Sequence, residues 1–257
     1  MGFPHLLRSL SLLSLFILSP PLTTTTTTVT AQVRRSFFNC TTKSPCTAVA
    51  GYVSPNTTLG HIQSLFQLPS LLPLLGANGL PSSTPSTHKV LQSSTVRIPF
   101  PCRCINGLGF SDRGDNLSYI ANDVFSGLTV YNQIQTVNYI FQDGNADADL
   151  LYVGQKLWIP LPCSCDDVDG QQVVHYAHVV APNSTVNEIA KEFVTTSQTL
   201  MSLNGITDPG NLIAGQVLDV PLKACSSSDV QISSPDDSLL AANGTYVYTA
   251  NNCLKCT

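Results

Sequence analysis

Apolar and polar positions along this chain repeat with a long period. The segment Ile98-Pro-Phe-Pro-Cys-Arg-Cys104 returns as Ile159-Pro-Leu-Pro-Cys-Ser-Cys165, and in part as Val220-Pro-Leu-Lys-Ala-Cys225. Ile98 to Ile159 and Ile159 to Val220 are both 61 positions, a spacing that marks internal repeats. Within the third repeat, residues 175–180 (HYAHVV) are β-branched and aromatic, the pattern of a strand. Pro182-Asn183-Ser184-Thr185 then supplies helix-start chemistry, because short polar side chains accept bonds from the first unpaired N–H groups. Val186, Ile189 and Phe193 follow on one helical face. The first repeat matches with Leu59, Ile62 and Phe66, and the second with Leu117, Ile120 and Val124 after Gly114-Asp115-Asn116.

A second short helix is expected to end at an Asn in each repeat: Asn78-Gly79-Leu80, Asn138-Tyr139-Ile140 and Asn204-Gly205-Ile206. Gly79 and Gly205 suit a left-handed stop. Closing strands are predicted over 94–98, 154–159 and 215–220. The fold class is therefore α+β, three tandem βααβ units, with unit 1 over 47–101, unit 2 over 105–162 and unit 3 over 173–222. Cys104 to Leu117 is 13 residues where Cys165 to Val186 is 21, so unit 2 has little chain for a first strand, and Gly-rich 105–112 forms one poorly. Unit 3 is the most intact.

The first 31 residues read as a secretory signal: Arg8, an apolar run from Leu10 to Leu18 too short to span a bilayer, and Val29-Thr30-Ala31 as a small-residue cleavage site. A Cys-containing segment over 32–46 follows. Sequons at Asn39, Asn56, Asn116, Asn183 and Asn243 agree with export. Nine cysteines in an exported chain point to disulfides, since CxC spacing is poor zinc geometry. Two residues apart on a strand, such cysteines point to one side and can tie it to two different elements. Six framework cysteines allow about 15 pairings. Cys225, Cys253 and Cys256 remain, in a Cys-rich tail over 225–257, and their partners are expected in a tail this chain lacks.

Only 11% of residues are charged, with net charge −4, which argues against nucleic acid as a partner. Glycoside hydrolysis needs two carboxylates flanking one bond. The acids cluster instead at Asp143/Asp147/Asp149 and Asp166/Asp167/Asp169, read as solvated loop charge. The first cluster lacks the Gly and Glu of a calcium loop, with Ala148 and Gly154 in their places. His175 and His178 face opposite sides of one strand, and Trp158 reads as packing. No catalytic residue, metal or cofactor is expected.

The repeated G-D/N-x-L-x-x-I-A, the central L/V-N-x-I and the closing G-Q-x-L-x-V/I-P resemble the lysin motif, LysM. Three such units separated by CxC pairs resemble the ectodomains of plant LysM receptors. The stretch from Asn243 to Cys256 resembles the start of the tail in their GPI-anchored, kinase-lacking branch. The resemblance implies disulfides Cys40–Cys104, Cys46–Cys165 and Cys102–Cys163, bundling the units into one body. It also implies an extracellular receptor for chitin or peptidoglycan oligosaccharides, bound in a groove between the loop entering the first helix and the loop leaving the second.

Carried over, unit 2 offers Gly114, Asp115, Asn116 and Leu117 on one wall, and Asn138, Tyr139, Ile140 and Phe141 on the other. Unit 3 offers Asn183, Ser184 and Thr185 against Gly205, Ile206, Thr207 and Asp208. Each loop also serves plain turn and capping chemistry, and a glycan on Asn116 or Asn183 would obstruct the groove. The expected partner is a LysM receptor kinase, with a ligand-induced homodimer as a further expectation. The chain as written carries no GPI signal after Cys256, so it is expected to be secreted or to be a fragment. Two alternatives stay open: a secreted decoy or structural glycoprotein with impaired binding, and a glycan-binding subunit of a wall-remodelling enzyme.

Overall fold

A computed structural model describes residues 38–42, 44–105, 108–110, 121, 125–141, 157, 159–226, 239–248 and 253–257. Unit 1 follows the expected order: strand β1 (Cys46–Val53), a two-residue β2 (Thr57–Thr58), helix α1 (Leu59–Leu65), helix α2 (Leu72–Ala77), a two-residue β3 (Lys89–Val90) and β4 (Thr95–Ile105). A short β5 (Leu108–Phe110) and helix α3 (Tyr131–Phe141) belong to unit 2. Unit 3 is β6 (Val173–Val179), α4 (Val186–Glu192), α5 (Ser197–Asn204), a 3-10 turn at Pro209–Asn211 and β7 (Val217–Ser226). The tail adds β8 (Leu240–Ala242), β9 (Tyr246–Tyr248) and β10 (Cys253–Lys255).

Units 1 and 3 share one sheet. The strand order is β5-β4-β1-β6-β7-β8, with β4/β1 and β6/β7 antiparallel inside their own units. They join through a short parallel pairing, Val49 with Tyr176 and Ala50 with Ala177. Alternation along the strands then sends successive side chains to opposite faces. Ala50, Ile98, Phe100 and Ala177 face a core that includes Leu59, Ile62 and Leu74 from the helices of unit 1 and Ile134 and Ile159 from unit 2. Val49, Val174, Tyr176, Leu218 and Val220 face a second core with Val186, Ile189 and Leu200 of unit 3.

The bridges Cys40–Cys104, Cys46–Cys165 and Cys102–Cys163 are formed. Cys46 lies opposite Cys102 in the β1–β4 register, and the sulfurs of Cys46, Cys102 and Cys165 lie within 4.8 Å of one another, all three already in disulfides. Loops closed at separations of 64, 119 and 61 residues would each, alone, restrict the unfolded chain by roughly 4–5 kcal/mol. Nesting makes the joint effect smaller than the sum. One expectation is corrected here: Cys225 does not await a missing partner but bonds Cys256, while Cys253 is exposed. This bridge ties β10 to the end of β7, and β9 packs on α2. A Cβ at Gly76 of α2 would collide with the Tyr246 carbonyl, so the contact requires glycine.

Unit 2 departs from its neighbours. Gly127 donates to the Ala121 carbonyl, six residues back, where Leu68→Gln63 and Thr195→Ala190 span five. Ser126 then matches Gln67 and Val194, all three at positive φ (52°, 49° and 56°). Unit 2 thus has one residue more between these paired groups, and Ala121 itself is π-helical. The residue equivalent to Phe66 and Phe193 is therefore buried Phe125, not Val124. Leu117, Ile120, Val124 and Trp158 lie outside the described residues, as do the signal segment and the acidic run 143–149. β5 falls within the weak 105–112 stretch but pairs with β4. Helix α3 continues past Asn138 to Phe141, because Tyr139 occupies the position where Gly79 and Gly205 adopt a left-handed stop.

Candidate glycan-binding groove

In unit 3, among the described residues, backbone pairing between the two walls stops just beyond the strand ends. Val180 N–H donates to Gln216 O at 2.8 Å and Gly215 N–H to Val180 O at 2.7 Å, closing the base. Beyond this, among the described residues, no backbone hydrogen bond joins 181–186 to 205–214.

The first wall is fixed from within. Asn183 takes φ 65°, and Thr185 caps α4 in a reciprocal box: Glu188 N–H donates to Thr185 Oγ1 at 3.2 Å, and Thr185 N–H to Glu188 Oε2 at 2.9 Å. The second wall begins where Gly205, at φ 63°, ends α5. Asp208 Oδ1 accepts from Gly210 N–H at 2.8 Å and starts the 3-10 turn. Asn183, Thr185, Gly205, Thr207 and Asp208 are exposed, with Ser184 and Ile206 half-buried. Ile213, exposed at 47%, lies in the same second loop. The sequence reading passed over it, although an apolar residue in a polar loop was the available signal.

Asn204 holds this wall to the sheet. Its Nδ2 donates to Leu200 O and Asp219 O, and its Oδ1 accepts from Asp219 N–H, all at 2.8 Å. Asn78 makes the same three contacts in unit 1, to Leu74 O, Arg97 O and Arg97 N–H, at 2.8, 2.8 and 2.9 Å. Asn138 repeats the first of them, donating to Ile134 O at 2.6 Å, and is fully buried. This corrects its placement on a groove wall: Asn138 is buried, and the equivalent Asn78 and Asn204 are clamps on the closing strands of units 1 and 3. Gly114, Asp115, Asn116 and Leu117 lie outside the described residues, and Tyr139, Ile140 and Phe141 are described only as helical backbone.

Unit 1 closes its own groove. Thr57 and Thr58 pair with Val90 and Lys89, Leu59 N–H donates to His88 O at 3.0 Å, and Gly60 N–H to Ser86 O at 2.8 Å. From Asn78 to Arg97 is 19 residues, against 15 from Asn204 to Asp219. The longer second loop folds back over the helix entry, and its carbonyls occupy the N–H groups of Leu59 and Gly60.

Beneath unit 3, buried His175 places Nδ1 2.9 Å from Asp219 Oδ1 and Nε2 2.7 Å from the Asp166 carbonyl. Both partners are acceptors, so the doubly protonated ring satisfies both. Burial pushes the His175 pKa down, but the Asp219 carboxylate and the Asp166 carbonyl outweigh it and the value is raised. Asp166 is not loose loop charge as expected: its carboxylate accepts from Thr41 N–H and Thr42 N–H at 2.7–2.9 Å. Burial raises its pKa, yet these bonds prevail and hold it below the usual value. Asp169 likewise accepts from Thr199 Oγ1 at 2.8 Å. On the other face His178, packed against Tyr176 and Phe193, is pushed by burial down to about 4.

Residues 113–160 and 178–221 match the LysM domain family. The chain is 47% identical over 240 residues to LysM domain-containing GPI-anchored protein 2 of Arabidopsis thaliana, covering 90% of this chain and 67% of that protein. It is 41% identical over 231 residues to Chitin elicitor-binding protein of Oryza sativa subsp. japonica, covering 86% and 64% respectively. The chain thus spans about two thirds of the length of these relatives. Its fold is similar to the crystal structure of the ectodomain of a receptor like kinase, with a TM-score of 0.56 at 22% identity, over 71% of this chain and 94% of that one. The LYK3 ectodomain gives a TM-score of 0.52 at 19% identity, over 70% and 92%.

Proposed function

This chain belongs to the plant LysM receptor-like proteins that lack a kinase, and from that premise we propose that it binds N-acetylglucosamine-containing glycans, chitin or peptidoglycan fragments, in the groove of unit 3. The observation that carries the reading is the contrast between two equivalent sites. Unit 1 zips its loops together through β2 and β3, whereas among the described residues of unit 3 no backbone hydrogen bond joins 183–185 to 205–208. Both walls of unit 3 are set by internal caps and the Asn204 clamp, so little order must be created on binding. Half-buried Ile206 and exposed Ile213 offer apolar surface to acetamido methyl groups and sugar faces, and backbone amides offer polar contacts. A neutral ligand suits walls whose only acid among the named residues, Asp208, is engaged in its own turn.

The role is recognition rather than catalysis. Signalling would pass through a receptor kinase of the LysM class at the outer face of the plasma membrane; no helix among the described residues is long and apolar enough to cross a membrane. The described sequon residues Asn39, Asn56, Asn183 and Asn243 are all exposed. Asn183 stands on the groove wall, so a glycan there would block it. Calorimetric titration of the Asn183→Gln protein with chitohexaose and with a soluble peptidoglycan fragment tests the proposal. Saturable heat with either is expected. Flat titrations with both would refute it and leave a structural or decoy glycoprotein.

A further inference from the structure

We propose that the protein carries a second ligand site, unrelated to the groove, that accepts a small amphipathic carboxylate between the shared sheet and strand β9. A cavity of about 320 Å³ opens there, within the range of about 300–1,000 Å³ typical of small-molecule sites. Three neighbouring strands supply apolar lining: Val49 of β1, Val174 of β6 and Leu222 of β7. Tyr246 and Tyr248 of β9 line it as well, held edge to face with ring centroids 5.5 Å apart. The Tyr246 hydroxyl is already engaged, donating to Leu80 O at 2.6 Å.

Among the described residues one charged side chain lines this cavity, Arg97. Alternation along β4 sends Ile98 and Phe100 to the opposite core and leaves Arg97 on this face, opposite Gly51 in register. Glycine is needed at 51, because a Cβ there would collide with the Tyr176 hydroxyl. The guanidinium carbon lies 5.9 Å from the Tyr176 ring centroid, a cation–π contact. Among the described residues no carboxylate lies within ion-pair distance of it, and none lines the cavity. Burial raises the Tyr176 pKa to about 12, with the Arg97 charge working against that rise and the Glu192 charge with it.

Arginine stays charged at any physiological pH, and its fork matches a carboxylate. A half-buried guanidinium, with no carboxylate partner among the described residues and apolar walls beside it, therefore complements an anionic head on a hydrocarbon body. A neutral, hydroxyl-rich sugar would leave both the charge and its own hydroxyls poorly matched. The volume, near the small end of the range, favours a medium-chain acid over a large lipid.

The test uses the full chain and decanoate below its micellar concentration, with decanol and chitohexaose as comparison ligands. Expected are one-site calorimetric binding of decanoate, methyl NMR shifts at Val174 and Leu222, and no competition by chitohexaose. Decanol and the Arg97→Gln variant should each show about tenfold weaker binding, the scale of one charge-assisted contact. Thr47→Trp, at an exposed position on the cavity rim, should abolish it while the melting profile stays native. No binding of decanoate, equal binding of decanol, an unchanged affinity in Arg97→Gln, or displacement by chitohexaose would each overturn the proposal. Because glycan binding is measured separately, failure here leaves the groove reading standing.

Discussion

Replacing Asn204 by alanine should cost stability and glycan affinity together. The side chain makes three hydrogen bonds at 2.8 Å, two to carbonyls and one from the Asp219 N–H. At a net value of about 1 kcal/mol each, with buried backbone groups of β7 left unpartnered, the loss is about 3–4 kcal/mol. That is a large part of the roughly 5–15 kcal/mol typical of a folded domain. For a chain of this size it corresponds to a fall in Tm of about 6–16 °C. Asn204→Asp should be no better at neutral pH, because a carboxylate would face the Leu200 and Asp219 carbonyls without a proton to donate. Asn78→Ala, which removes the same three contacts in unit 1, should lose similar stability yet keep glycan affinity, since that groove is closed. The assay is denaturant unfolding of the oxidised proteins beside calorimetric titration with chitohexaose. A loss below about 1 kcal/mol in Asn204→Ala, or an affinity loss equal in both variants, would refute the clamp as the support of the groove wall.

Two histidines should shape the pH dependence of stability in opposite directions. His175, raised in the fold, contributes fully below its unfolded value of about 6.5 and loses that contribution as pH rises through the folded value. His178, depressed to about 4, contributes above about 6.5 and loses on the order of 3 kcal/mol as pH falls through 4. Thermal melts should therefore show the acid limb flattened in His178→Phe; an unchanged acid limb would contradict this. Non-reducing peptide mapping should recover Cys225–Cys256, and Cys225→Ser/Cys256→Ser should release the tail at a cost of up to about 4 kcal/mol. Recovery of Cys225–Cys253 instead would overturn that arrangement. Gly76→Ala should detach β9 from α2, seen as faster proteolysis within 239–257 with the unit 3 groove intact; an unchanged cleavage rate would count against the contact.

The sequence carried the elements of units 1 and 3 because their signals are local: Thr58 and Thr185 cap, Gly79 and Gly205 stop, and Leu59/Ile62 and Val186/Ile189 face their cores. It did not carry the parallel joint between β1 and β6, since two apolar strands give no sign of which neighbour each takes. The extra residue in unit 2 was readable as a five-residue step from Ile120 to Phe125, where the other units step four. The Asn motif was visible, but its chemistry was not. An amide at a helix end serves a clamp or a ligand equally well until the burial of Asn138 separates the two. Closure of unit 1 depended on loop length, four residues more after Asn78 than after Asn204, whose consequence only the β2–β3 pairing reveals. Asp166 looked like solvent-facing charge because its donors, Thr41 and Thr42, lie more than a hundred residues away.

The proposed function requires an open glycan groove in unit 3 beside a self-closed one in unit 1. Backbone amide NMR during titration of the Asn183→Gln protein with chitohexaose addresses it most directly. Saturable shifts are expected, concentrated at residues 184–187 and 205–208, with 57–60 and 86–90 unmoved. Saturable binding that leaves the amides of both unit 3 loops in place, or that moves those of unit 1 instead, would contradict it.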